Sequence, residues 1–168
     1  LEHMVFNGTR LYPKHKLIDA LENMGVQFGT DLNAYTGFDE TVYVLPIPLN
    51  NPENFEKSMG ILEQLAFHAT LLPEDVDQER SVLMEEWRSS ALSATARQQE
   101  HNLQITAAGS LYAQRMPIGK TEVIQKAPPE VLRGFYQRWY RPNLMSVVVV
   151  GDINPMRAKQ LVEKHFAN

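Results

Sequence analysis

An α+β fold, with helices packed on one face of an antiparallel or mixed sheet, is predicted by three features of the chain. Two segments with strand character, 26–35 and 41–47, flank the turn residues Thr36-Gly37-Phe38-Asp39. A long block of helical periodicity follows, from Pro52 to about Gly109. The chain then returns to a nearly continuous apolar run, Leu144 to Val150, before a last helical pattern. Strand pair, helical block, strand and helix describe helices laid against one sheet.

Residues 1–6 read as the last turn of a helix, stopped by Asn7-Gly8. Pro13 suits the first turn of a second helix, in which Leu17, Leu21 and Met24 fall at i, i+4 and i+7 and which Gly25 ends. From Val26 to Tyr35 apolar and polar residues largely alternate, as in a half-buried strand. Thr41 to Ile47 is its hairpin partner, and Pro46 and Pro48 exclude a central position there. The stretch from Pro52 to about Thr70 carries Phe55, Met59, Leu62, Leu65 and Ala66 on one side of a helix. Pro73 opens a longer helix to roughly Gln99, with further helical pattern from Glu100 to Leu111. Met116 to Lys120 is a loop. Pro128-Pro129 precedes a helix bearing Val131, Leu132, Phe135, Trp139 and Tyr140, which Pro142-Asn143 breaks. The run to Val150 has the composition of a strand buried on both faces. Pro155 starts the last helix, with Leu161, Val162 and Phe166. Three strands make a thin sheet for so many helices, and strands preceding residue 1 would complete it.

The 168 residues fit one domain, 1–168, able to bury a substantial core. A net charge of −4 with scattered Lys and Arg gives no basic stripe for nucleic acid. No apolar run approaches the ~18 residues of a membrane span. The absence of cysteine excludes disulfides and thiolate metal sites, so any zinc must use His and carboxylate ligands.

Two positions stand out chemically. Glu2-His3 sits on that last helical turn. A Glu next to a helical His is placed to take a proton from water on a metal that the His binds. By itself the dipeptide carries no signal, and His-Met at a chain start is also a frequent cloning remnant. Glu79 lies on the stripe that Val76, Leu83 and Trp87 define, and Glu86 shares it. A carboxylate on an apolar stripe is costly unless paired or metal-bound. The alternative is a partly exposed flank, with Glu79 near Arg80 or Arg88. His15 reads as solvent-facing, and His68, His101 and His165 as structural or exposed. The strand end Asn33-Ala34-Tyr35-Thr36 offers an edge to which an extended peptide can add, or is simply a hairpin.

Taken together, Leu1-Glu2-His3-Met4-Val5-Phe6-Asn7-Gly8-Thr9, Asp31 to Thr36, Asp39 to Tyr43, Glu79-Arg80 through Glu85-Glu86-Trp87-Arg88, Pro117-Ile118-Gly119, and Phe135-Tyr136 through Pro142-Asn143 to Val150-Gly151-Asp152 form a collinear pattern. It resembles the N-terminal zinc-bearing domain of the insulinase/pitrilysin metallopeptidases, which carry the inverted motif His-x-x-Glu-His. The wording is nearest to bacterial members. The resemblance implies an insulinase/mitochondrial-processing-peptidase-like metallohydrolase domain lacking its first strands. It makes His3 and Glu79 metal ligands, Glu2 the general base, Glu86 a neighbour of the ligands, and Asn33, Ala34, Tyr35 and Thr36 the substrate edge. It implies Zn²⁺ as cofactor, peptides or unfolded polypeptides as substrate, a second homologous domain or half enclosing a chamber, and a periplasmic rather than cytoplasmic location.

The first His of the motif would stand three residues before Glu2, outside this sequence. Zinc is therefore expected to be held weakly or not at all by this chain, which is expected to be inactive alone. An open sheet edge would favour self-association. A non-catalytic, partner-binding member of the same fold and an unrelated helical interaction domain are the competing readings.

Overall fold

The computed structural model describes residues 1–14, 16–27 and 33–167. His15, residues 28–32 and Asn168 lie outside the described residues. The expectation for His15 and the middle of the predicted strand 26–35 fall there. The chain is mostly helical, with a small antiparallel sheet. Its elements run α1 (Glu2–Phe6), α2 (Lys16–Asn23), β1 (Asn33–Thr36), β2 (Thr41–Val44), α3 (Glu53–Phe67), α4 (Pro73–Leu92), α5 (Ala94–Thr106), α6 (Thr121–Lys126), α7 (Pro129–Trp139) and α8 (Pro155–Phe166). Among the described residues no helix is long and apolar enough to cross a membrane.

The core gathers Met4 and Val5 of α1, Leu17 and Leu21 of α2, Val26, Ile61 and Leu65 of α3, Leu71, Val76 of α4 and Tyr136 of α7. Val5 and Leu21 are fully enclosed, and each such aliphatic side chain contributes about 1.5–3 kcal/mol of burial. The sharp exit from α1 needs Gly8: its φ is +151°, and a Cβ there would meet Lys14 N and Thr70 Oγ1 at 3.3 Å.

Tyr136 ties α7 to the end of α3. Its hydroxyl donates to the Leu65 carbonyl at 2.9 Å and accepts from the Ala69 N–H at 3.1 Å. Burial pushes its pKa up to about 12. The neutral form is thus favoured by folding. Its contribution is complete below the ordinary tyrosine value near 10 and is lost as pH rises through about 12. Tyr136→Phe orphans both backbone groups, so a loss of about 1–3 kcal/mol is expected. Urea unfolding at neutral pH checks it; a midpoint unchanged from the parent's refutes it.

The structure departs from expectation in four places. The second strand stops at Val44, short of Ile47, and among the described residues β1 and β2 pair from Asn33↔Val44 to Thr36↔Thr41. The helix after Pro73 breaks at Ser93, whose extended backbone lets its hydroxyl accept from Ala96 N and cap α5. Residues 121–126 form the unexpected α6, onto which Arg80 reaches to donate to the Ile124 and Ala127 carbonyls at 2.5 and 2.6 Å. The run 144–150 is not a strand buried on both faces. It is an extended segment that begins with a 3-10 turn at Pro142–Leu144, with no strand beside it among the described residues. Only one side is covered: Met145 and Val147 line a shallow cleft with Val162 and Phe166 of α8. Val148 and Val150 are 82% and 91% exposed.

Two of the histidines read as structural or exposed, His68 and His165, have carboxylate company. His165 Nδ1 lies 2.6 Å from Glu63 Oε2, and His68 Nε2 is 3.7 Å from the other oxygen of Glu63. With Arg157 and Lys164 on Glu56 at 2.7 and 2.6 Å, the His165–Glu63 pair fastens α8 along α3.

Candidate metal centre

Helix α1 is short, and Met4 and Val5 root it in the core. That leaves Glu2, His3 and Asn7 to face its neighbours. Helix α4 begins at Pro73, with Asp75 buried in its first turn. Lys14 donates to Asp75 Oδ1 and to Gln78 Oε1, both at 2.8 Å, which pins the start of α4 beside the loop after α1. Val76 is buried; one turn on, Glu79 turns the same way and meets α1.

There the two positions singled out from the sequence come together. His3 Nδ1 lies 2.9 Å from Glu79 Oε1, and the Glu79 side chain is only 16% exposed. The second Glu79 oxygen accepts from Asn7 Nδ2 at 2.9 Å. Glu86 stands on the far side of the ring, its Oε2 3.4 Å from His3 Nε2, and is half exposed. Arg80 turns instead to Asp77, at 2.9 Å, and Arg88 to Glu85, at 3.3 Å. The flank pairing of Glu79 with either arginine is therefore not what forms.

Glu2 points to the hairpin. Thr36 Oγ1, at the end of β1, donates to Glu2 Oε2 at 2.5 Å and lies 3.4 Å from Thr41 Oγ1. β1 pairs with β2 along one side, and its other side has no strand partner among the described residues. Asn33, Ala34, Tyr35 and Thr36 thus share an open edge that ends at Glu2. Behind α1 lies an aromatic stack: Phe6 meets Tyr43 edge-on at 5.7 Å, and the Tyr43 and Tyr140 hydroxyls are 2.6 Å apart. Burial first, and then the neighbouring Tyr140, raise the Tyr43 pKa, and burial raises that of Tyr140. Both stay neutral and hydrogen-bonded, a firm backing for the helix.

Asn7 and the Thr36–Glu2 bond were missed from the sequence. Asn7 stands four residues after His3, on the same helical face, but its place before Gly8 made it read as a helix stop alone. Nothing local signals the Thr36 contact, which spans the fold.

The donor chemistry suits zinc: an imidazole nitrogen and a carboxylate oxygen, the carboxylate oriented by a neighbouring amide. The set is partial. Among the described residues no group of three or more His, Asp and Glu is arranged to hold a metal ion, and zinc sites use at least three protein ligands. His3 and Glu79 fit two positions of such a site.

The chain is similar along nearly its whole length to known proteins. The family model described as Insulinase (Peptidase family M16) matches residues 1–114, and the one described as Peptidase M16 inactive domain matches residues 126–168. The chain is 40% identical over 167 residues to the probable zinc protease PqqL of Haemophilus influenzae, covering 99% of this chain and 18% of that protein. It is 37% identical to a zinc protease PQQL-like protein of Arabidopsis thaliana, with 99% and 17% covered. The crystal structure of the first half of the periplasmic protease PqqL from Escherichia coli superposes with a TM-score of 0.93 at 40% identity, covering 99% of this chain and 36% of that one. The chain spans less than a fifth of the length of the curated PqqL-type relatives it matches. With two family models in sequence order along nearly its whole length, the chain belongs to the insulinase family of peptidases.

Proposed function

We propose that residues 1–168 form the metal-bearing N-terminal domain of a longer zinc endopeptidase that hydrolyses peptides or unfolded polypeptides in the bacterial periplasm. The observation that carries this reading is the contact of His3 with Glu79 beside a separately held Glu2. His3 and Glu79 would hold the ion, with the His that the motif places three residues before Glu2 as third ligand. Bound zinc supplies a Lewis acid that acidifies water and polarises the scissile carbonyl. Glu2 takes the proton of the attacking water and delivers it to the leaving amine. Thr36 donates to one Glu2 oxygen and leaves the other for that proton. Asn7 and Glu86 fix the orientation of Glu79 and of the His3 ring. The open side of β1, Asn33 to Thr36, takes the substrate as an added strand through main-chain hydrogen bonds.

The extended segment 145–150 pairs, in this reading, with strands supplied by the rest of the longer protein. They would complete a sheet with helices on one face. A second homologous half would close the chamber. The 168-residue chain alone is then inactive, and its open edges lead it to self-associate; a monomer by light scattering at high concentration would refute the latter.

Zinc bound per chain tests the reading, comparing residues 1–168 with a form extended upstream through the motif's first His. Tight binding by the extended form alone supports it. Equal tight binding by both would mean that another residue completes the site. No binding by either would favour a non-catalytic, partner-binding member of the family.

A further inference from the structure

A cleft at the tip of the β1–β2 hairpin has no part in the chemistry above. Phe38 and Asp39 face Leu111, Tyr112 and Arg115 across about 380 Å³. The two walls are joined. Tyr112 donates its hydroxyl to Asp39 Oδ1 at 2.8 Å, and its ring meets that of Phe38 edge-on with centroids 5.1 Å apart. Gln104 of α5 donates to the Ala113 carbonyl at 2.5 Å, which ties the 3-10 turn Tyr112–Gln114 to the helix before it. The Tyr112 hydroxyl and one Asp39 oxygen are therefore committed to holding the cleft together. Arg115 is not. Its backbone N–H closes the turn onto the Tyr112 carbonyl at 3.3 Å, while its guanidinium makes no hydrogen bond or ion pair among the described residues.

The cleft continues the line of the substrate edge. Thr36, which holds Glu2, stands three residues before Asp39, so at most about 10 Å of extended chain separates them. A substrate strand lying along β1 and leaving at Thr36 runs toward Phe38 and Tyr112.

We propose that this cleft is a specificity subsite in which Arg115 receives an acidic side chain of the substrate, two or three residues from the scissile bond. The proposal rests on the peptidase reading above. A guanidinium offers a forked pair of donors that matches a carboxylate, and the Phe38 ring and Leu111 give the methylene stem of a glutamate an apolar wall. A neutral apolar side chain would fill the same space and leave the guanidinium without a partner. The Asp39 carboxylate, turned toward Tyr112, keeps the preference moderate and disfavours a substrate carboxylate that approaches from its own side.

The test uses the full-length protein and a peptide that it cleaves. Glu, Gln or Lys is placed in turn at each of the four positions on either side of the cut. Binding is read by fluorescence anisotropy with the Glu2→Gln form, and cleavage with Glu2 intact. At one position the Glu peptide is expected to bind about three- to tenfold more tightly than the Gln peptide. Arg115→Ala erases the difference, Arg115→Lys retains part of it, and Arg115→Glu transfers the preference to Lys at that same position. Equal affinity for Glu and Gln at every position, with cleavage intact, overturns the subsite and leaves the peptidase reading standing. So does a preference that survives Arg115→Ala. Failure of the zinc-loaded protein to cleave any peptide overturns both.

Discussion

The Glu2→Gln form of the full-length peptidase is expected to keep its zinc and its peptide affinity while kcat falls by about 10²–10⁴-fold, the range for loss of a positioned general base. The amide is nearly isosteric with the carboxylate, and its oxygen still accepts the Thr36 hydroxyl that now lies 2.5 Å from Glu2. What it lacks is basicity. Steady-state rates together with zinc content and anisotropy separate the effects. A kcat near the parent's would remove Glu2 from the mechanism, and parallel loss of zinc would make it a structural support of the site instead.

Removing ligands is expected to act on a different observable. In the full-length protein Glu79→Ala should weaken zinc binding by more than the 10–100-fold that loss of an orienting neighbour typically costs. Asn7→Ala should fall within that range, because its amide at 2.9 Å holds only the second Glu79 oxygen. Competition against a chelating dye gives both constants. Equal, small effects would contradict the assignment of Glu79 as a ligand. The contact of Glu79 with His3 across 76 residues of chain would then be an ordinary half-buried ion pair.

Much of this architecture was legible in the chain because local chemistry announces it. Pro73, Pro129 and Pro155 sit at helix starts, and Asn7-Gly8 ends α1. Glu79 was legible through its place on the Val76–Leu83–Trp87 stripe, and the structure turns it to His3. Other features depend on the tertiary setting. Ser93 interrupts a continuous helical pattern by capping, and the short α6 has no periodicity long enough to notice. The valines of 147–150 have the composition of an interior strand, yet composition reports what a segment suits, not which neighbours surround it. Here Val148 and Val150 face solvent. The Thr36–Glu2 and Tyr112–Asp39 bonds join residues 34 and 73 positions apart and carry no local mark.

The way Glu79 and Glu2 are secured has an evolutionary consequence. The two candidate ligands lie on α1 and α4 and the amide that steadies one of them caps α1, while the candidate base is steadied by the hairpin. On the proposed assignment, metal retention and substrate choice would therefore reside on separate inheritable units. Mutations could then accumulate in the β1–β2 hairpin and the turn opposite it, and shift which polypeptides are cut, without an accompanying loss of the ion. Only Thr36, which holds Glu2 from the hairpin, would tie the two units together and resist such drift.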